Sequence, residues 1–173
     1  MGVLYDYFAA ATDEAAASAI DRIAGSGAPA ASAASPKRGF LRRRSAQEAP
    51  AQSQVFDTVS TKGIDPVVQM GTLEELLTGR DYDSVMDDPR CGMDIAVRDG
   101  GERLVLTITD SLTAALAQSN EEALAAVADP WARTEEFFGS ATGADVLPFL
   151  RDLAALASRA RAQDHRLYCW VCV

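Results

Sequence analysis

Only one histidine and three cysteines occur in 173 residues, and aromatic side chains make up 7% of the chain. Every histidine-dependent mechanism therefore rests on His165. An odd number of cysteines argues against a secreted disulfide scaffold. No apolar run approaches the ~20 residues that a bilayer-crossing helix needs. Met1 to Ala10 lacks a basic leader and is interrupted by Asp6, and Asp6 in place of Ser or Thr argues against myristoylation after Met1-Gly2. No phosphate-cradling loop, dinucleotide glycine fingerprint or nucleophile elbow is present. The expectation is a cytoplasmic protein that needs no cofactor and no metal.

Positive charge is also scarce. Lysine and arginine total 16 against 25 acids, for a net charge of −9. The cations are unevenly spread: Lys37, Arg38, Arg42, Arg43 and Arg44 face only Glu48 between Gly25 and Gln54, so this segment carries +4 and the remainder −13. An acidic body disfavours nucleic-acid binding and suits a basic partner. The 48% hydrophobic content is enough for one domain with a real core.

The clearest pattern lies at the end of the chain. Val146, Phe149, Leu150, Leu153, Leu156, Ala157 and Ala160 follow the spacing of one helix face. Arg166 to Val173 then reads as a strand with Leu167, Cys169 and Val171 on one side and Tyr168, Trp170 and Cys172 on the other. Both sides are apolar, which predicts a strand buried inside a sheet. The expected fold is α+β: a single domain with a small mixed or antiparallel sheet, its C-terminal strand buried, packed by several helices and carrying a disordered insertion.

Taken in order, 1–24 supplies a first strand (Val3 to Phe8) and a light alanine-rich helix capped by Thr12 or Asp13. Residues 25–54 are rich in Ala, Ser, Pro and Gly and bury too little to offset their ordering entropy, so they read as a low-complexity basic insertion. Residues 55–173 complete the domain. Val55 to Ser60 reads as a strand. Asp65 and Pro66 launch a helix along Val67, Met70, Leu73, Leu76 and Leu77 to Gly79, with Gly71 as a break and Thr72 recapping a second piece. Arg80 to Gly92 reads as loop. Met93 to Ile108 reads as a hairpin with a tight primed turn at Gly100-Gly101. Three short helices follow, capped at Asp110 or Ser111, at Asn120 and at Asp129-Pro130; the last sets Trp131 and Phe138 on one face.

Three of these stretches resemble the YfbM-like family of small bacterial proteins. They are Met1-Gly2 before a strand, Gly63-Ile64-Asp65 through Leu76-Leu77-Thr78-Gly79, and Phe149-Leu150-Arg151 through Leu167-Tyr168-Cys169-Trp170. The chain departs from that family where Pro66-Val67-Val68 replaces the usual Lys-Ala-Trp. The resemblance implies an α+β fold and no particular reaction.

Few constellations carry chemistry. Cys169 and Cys172 have redox spacing, but no helix follows to lower a thiol pKa, and an offset of three in a strand sends them to opposite faces. The same geometry opposes a zinc site from Cys91, His165, Cys169 and Cys172. His165, at a polar helix-to-strand joint, reads as a positive group near a helix C-terminus rather than a base for Cys91. Asp81, Asp83, Asp87 and Asp88 lack the ligand order and central glycine of a calcium loop. The expected function is non-catalytic binding of another macromolecule: Arg80, Asp81, Asp83, Asp87 and Asp88 meet a basic protein partner, as in an immunity or antitoxin-like protein. The alternatives are a small-molecule binder or enzyme with an unfamiliar pocket, and an insertion whose Lys37 to Arg44 engages nucleic acid or an anionic membrane.

Overall fold

A computed structural model describes residues 3–21 and 56–173. The stretch 25–54, expected to be a disordered insertion, lies outside them, as do residues 22 and 23 of the expected first helix. The described chain is α+β, with β1 (Leu4–Ala10), α1 (Asp13–Ala17), β2 (Thr58–Lys62), α2 (Val68–Thr78), α3 (Tyr82–Met86), β3 (Asp94–Arg98), β4 (Arg103–Thr107), α4 (Asp110–Gln118), α5 (Glu121–Ala132), α6 (Gly143–Ala162) and β5 (Arg166–Cys172). The strands form one five-stranded sheet in the order β2-β1-β5-β4-β3. Every neighbouring pair is antiparallel.

The closing helix and strand organise the rest. β5 lies at the centre, with Cys169 opposite Tyr7 of β1 on one side and Leu106 of β4 on the other. Its period-two alternation separates two cores. Leu167, Cys169 and Val171 join Leu150, Leu153, Leu156 and Trp131 beneath the long helices, while Tyr168 and Trp170 join Phe8, Ile20, Phe56 and Val105 on the opposite face. α6 buries Val146, Leu150, Leu153, Leu156, Ala157 and Ala160, the face its periodicity predicts. Each of its fully buried leucines contributes about 1.5–3 kcal/mol of burial. Thr142 and Asp145 close a capping box at its start.

Several local signals are overruled. Gly71 does not break α2. A Cβ there would come within 2.4 Å of Met86 Cε and 3.0 Å of Tyr82 Cε2, so the glycine lets α3 approach. Thr72 does not recap the helix; its hydroxyl donates to the Gln69 carbonyl at 2.9 Å. The N-cap position of α2 is Val67 rather than Asp65, but Asp65 holds the turn that leads into the helix, accepting from the amides of Val67 (2.8 Å) and Val68 (2.9 Å). Arg80 to Gly92 is not wholly loop, because Asp81 caps α3 through the Ser84 amide at 3.0 Å.

The β3–β4 connection is longer than a two-residue turn. Arg98 pairs with Arg103, and Asp99 (φ 52°) and Gly100 (φ 68°) both take left-handed backbone between them. Thr109, not Asp110 or Ser111, caps α4. Asn120 caps α5, which runs through Pro130 rather than restarting there. That proline is solvent-facing in the last turn, where the carbonyl it leaves free (Ala126) is also exposed. Asp129 instead accepts from the Gly143 amide at 3.0 Å and so sets the start of α6.

Candidate partner-binding surface

Glu74 lies on the same stripe of α2 as Met70 and Leu73, four residues after Met70, and its side chain is 1% exposed. A buried carboxylate requires partners, and α4 and the 80–88 segment supply them. Glu74 Oε1 accepts from Arg80 Nη1 at 2.8 Å and from the Ser111 hydroxyl; Oε2 accepts from the Thr109 hydroxyl. Arg80 Nη1 also donates to Ser111 Oγ at 2.7 Å, and Nη2 to the Ser84 carbonyl at 2.9 Å. Asp88 lies 3.7 Å from Arg80 and accepts from the Arg90 amide at 2.9 Å.

The five residues expected to meet a partner therefore divide. Arg80 turns inward and ties the segment to α2 and α4. Asp81 holds the α3 N-terminus and, with Ser84 bonding first, keeps its carboxyl below the usual range. Asp88 is half-buried, whereas Asp83 and Asp87 are exposed. Since Arg80 is matched internally by Glu74, its charge does little to offset the outer aspartates.

The turn after α5 brings a second acidic segment to the same flank of α2. Glu135–Phe137 is one 3-10 turn, and the Gln69 side-chain amide reaches the Glu136 carbonyl at 3.5 Å. Phe137 packs inward, edge-on to Trp131 with ring centroids 5.0 Å apart. Phe138, expected inward beside Trp131, points out instead. It is 92% exposed and holds left-handed backbone at φ 51°, ψ 29°. A bulky side chain there is strained by about 1–2 kcal/mol.

Tyr82 marks the space between the two acidic segments. Burial pushes its phenol up, and the negative charge of Glu136, then Cys91, Asp65 and Asp83, pushes it further. Asp65, Asp83 and Glu136 thus all act on one tyrosine, and Glu135 and Phe138 stand on the same turn as Glu136. The aromatic pair Phe137-Phe138 before Gly139 was the available sequence signal, since successive side chains of a 3-10 turn point about 120° apart.

The thiols and the imidazole do not converge. Cys169 and Cys172 fall into opposite cores, and Cys91 lies against the Met86 sulfur at 4.0 Å. All three cysteines are free. Burial, followed by Glu74 and Asp88, pushes the Cys91 thiol up to about 11, and burial raises Cys169 well above its ordinary value. Raised thiols are poor nucleophiles at neutral pH. Among the described residues, no group of three or more His, Cys, Asp and Glu is placed to hold a metal ion, and no helix is long and apolar enough to cross a membrane. The chain matches no family model, no curated protein and no solved structure.

Proposed function

We propose that this protein works by binding a basic protein partner, with Phe138 as the apolar anchor and Asp83, Asp87, Glu135 and Glu136 as the surrounding acidic field. The supporting observation is Phe138: an aromatic ring turned to solvent on a strained backbone, on the same turn as Glu135 and Glu136, which pair with no arginine among the described residues. Backbone strain of this kind collects at functional positions. Aromatic anchors supply much of the energy of protein recognition, and surrounding charge sets approach and specificity. In this reading the protein acts in the cytoplasm as an immunity or antitoxin-like mask over a basic surface. The YfbM-like resemblance is proposed as a likeness of fold and adds no residue to the site.

Affinity capture from the native host, followed by reconstitution with the purified partner, tests the proposal. The expected result is a stoichiometric complex that weakens as salt rises and loses about 2 kcal/mol or more, roughly thirtyfold in Kd, on Phe138→Ala. The Asp83→Asn/Asp87→Asn pair reduces the salt dependence and the association rate. A partner that binds equally well without the Phe138 ring and without both carboxylates overturns this reading.

A further inference from the structure

α6 closes on a turn that leads into β5. The His165 amide donates to the Ala160 carbonyl at 2.8 Å and the Asp164 amide to the Arg161 carbonyl at 3.2 Å, the paired closure of a Schellman motif. Asp164 takes the left-handed position at φ 56°, where glycine is usual. It also places negative charge at the negative end of a 20-residue helix. Two local costs thus fall on one residue, and that residue lines an open groove of about 570 Å³. Arg161, His165 and Arg166 line the groove with it, and Asp110 and Thr113 of α4 face them.

The pairing of charges singles this groove out. Of ten lysine and arginine side chains among the described residues, eight form ion pairs; Lys62 and Arg161 do not. Arg166 is held only loosely, its Nε 3.4 Å from Asp110 Oδ1, and that carboxylate also faces Arg90 Nε at 3.7 Å. Arg90 in turn reaches Asp13 at 3.2 Å, so neither it nor Asp110 neutralises Arg161. The groove therefore offers a guanidinium without a counter-ion, a second one in a weak pair and the chain's one imidazole.

We infer that this groove binds the oxyanionic end, phosphate or carboxylate, of a metabolite-sized ligand on Arg161, with Arg166 as the second cation and His165 as a ring N–H donor beside them. The planar guanidinium fork matches two oxygens of either group. The volume lies within the range of small-molecule sites, about 300–1,000 Å³. Asp164 and Asp110 repel a second negative charge and accept from hydroxyl donors, so the ligand carries one anionic end and a hydroxylated body.

Titration of ¹⁵N-labelled protein with ribose 5-phosphate and with gluconate, each against sodium chloride at matched ionic strength, tests this and separates the two kinds of anionic end. The backbone amides of residues 161–166 and of Thr113 report binding. At least one of the two ligands is expected to give saturable shifts there, weakened tenfold or more by Arg161→Gln and unchanged by Arg133→Gln, which removes the same charge elsewhere. Arg161 is exposed and unpaired, so its replacement leaves the folded spectrum otherwise intact. Shifts that never saturate, that chloride reproduces, or that both arginine variants reduce equally overturn the inference, as does the absence of shifts with both ligands. None of these residues belongs to the partner-binding surface, so the two proposals fail independently.

Discussion

Replacing Glu74 removes the carboxylate on which α2, α4 and the 80–88 segment converge. In Glu74→Ala three donors lose their acceptor: Arg80, Ser111 and Thr109. Thr109 also caps α4 by accepting from the Leu112 amide at 3.2 Å, so its hydroxyl loses the partner that sets its orientation. Breaking a fully buried ion pair costs about 3–5 kcal/mol. Arg80 is 35% exposed and keeps the Ser84 carbonyl, so water relieves part of that loss. The expected destabilisation is about 2–4 kcal/mol for Glu74→Ala. For Glu74→Gln, which keeps the shape but exchanges charge-assisted bonds for neutral ones, it is about 1–2 kcal/mol. Exposed Glu75→Ala should stay within about 0.5 kcal/mol of the parent. Urea unfolding followed by tryptophan fluorescence measures all three, since Trp131 and Trp170 are both buried. A Glu74→Ala midpoint indistinguishable from that of Glu75→Ala would refute the buried network as the tie between these elements.

Four further outcomes are expected. Phe138→Gly should stabilise the fold by about 0.5–1 kcal/mol, the relief of left-handed strain less the glycine entropy term, as read by thermal unfolding. Gly143→Ala should cost about 1–3 kcal/mol and more than Gly71→Ala. Its Cβ meets the Asp129 backbone nitrogen at 2.9 Å, whereas at Gly71 the closest atom is the mobile end of Met86, and paired urea titrations show the order. The Tyr168 hydroxyl donates to Asp13 at 2.8 Å, and this bond, then Arg90, holds the Asp13 carboxyl below its usual value. That stability is present above the unfolded carboxylate pKa of about 3.9 and lost as pH falls through the lower folded value, so Asp13→Asn should flatten the acid limb of a stability–pH curve. Burial and Asp13 push the Tyr168 phenol to about 12, so it adds to a fall in stability as pH rises from the ordinary value of 10.0, and Tyr168→Phe should make that alkaline slope shallower.

Period carries the parts of the fold that are legible in the residues. The stripe from Val146 to Ala160 and the two-sided strand at Leu167–Cys172 follow from spacing alone, because each face must be buried. Local breakers mislead where tertiary contacts overrule them. Pro130 is accommodated on the solvent face of a last turn, and Gly71 serves an approach by a helix with which it shares no local pattern. The candidate surface is less legible. The aspartates of 80–88 stand out by composition, but whether each faces water depends on Glu74, whose burial comes from contacts with Thr109 and Ser111, 35 and 37 residues away. The direction of Phe138 is set by one backbone dihedral in a turn, which no periodicity records. Arg161 stands apart only once the other ion pairs are seen in space.

A photo-crosslinking side chain in place of Phe138 shows whether this ring meets a partner. Phe138→p-benzoylphenylalanine, irradiated in native host cells, should give one discrete protein adduct, with none from the same group at exposed Glu122 on α5. The adduct should fade when Asp83 and Asp87 are replaced by asparagine. No adduct at position 138, or the same adducts from both positions, would rule out Phe138 as the anchor.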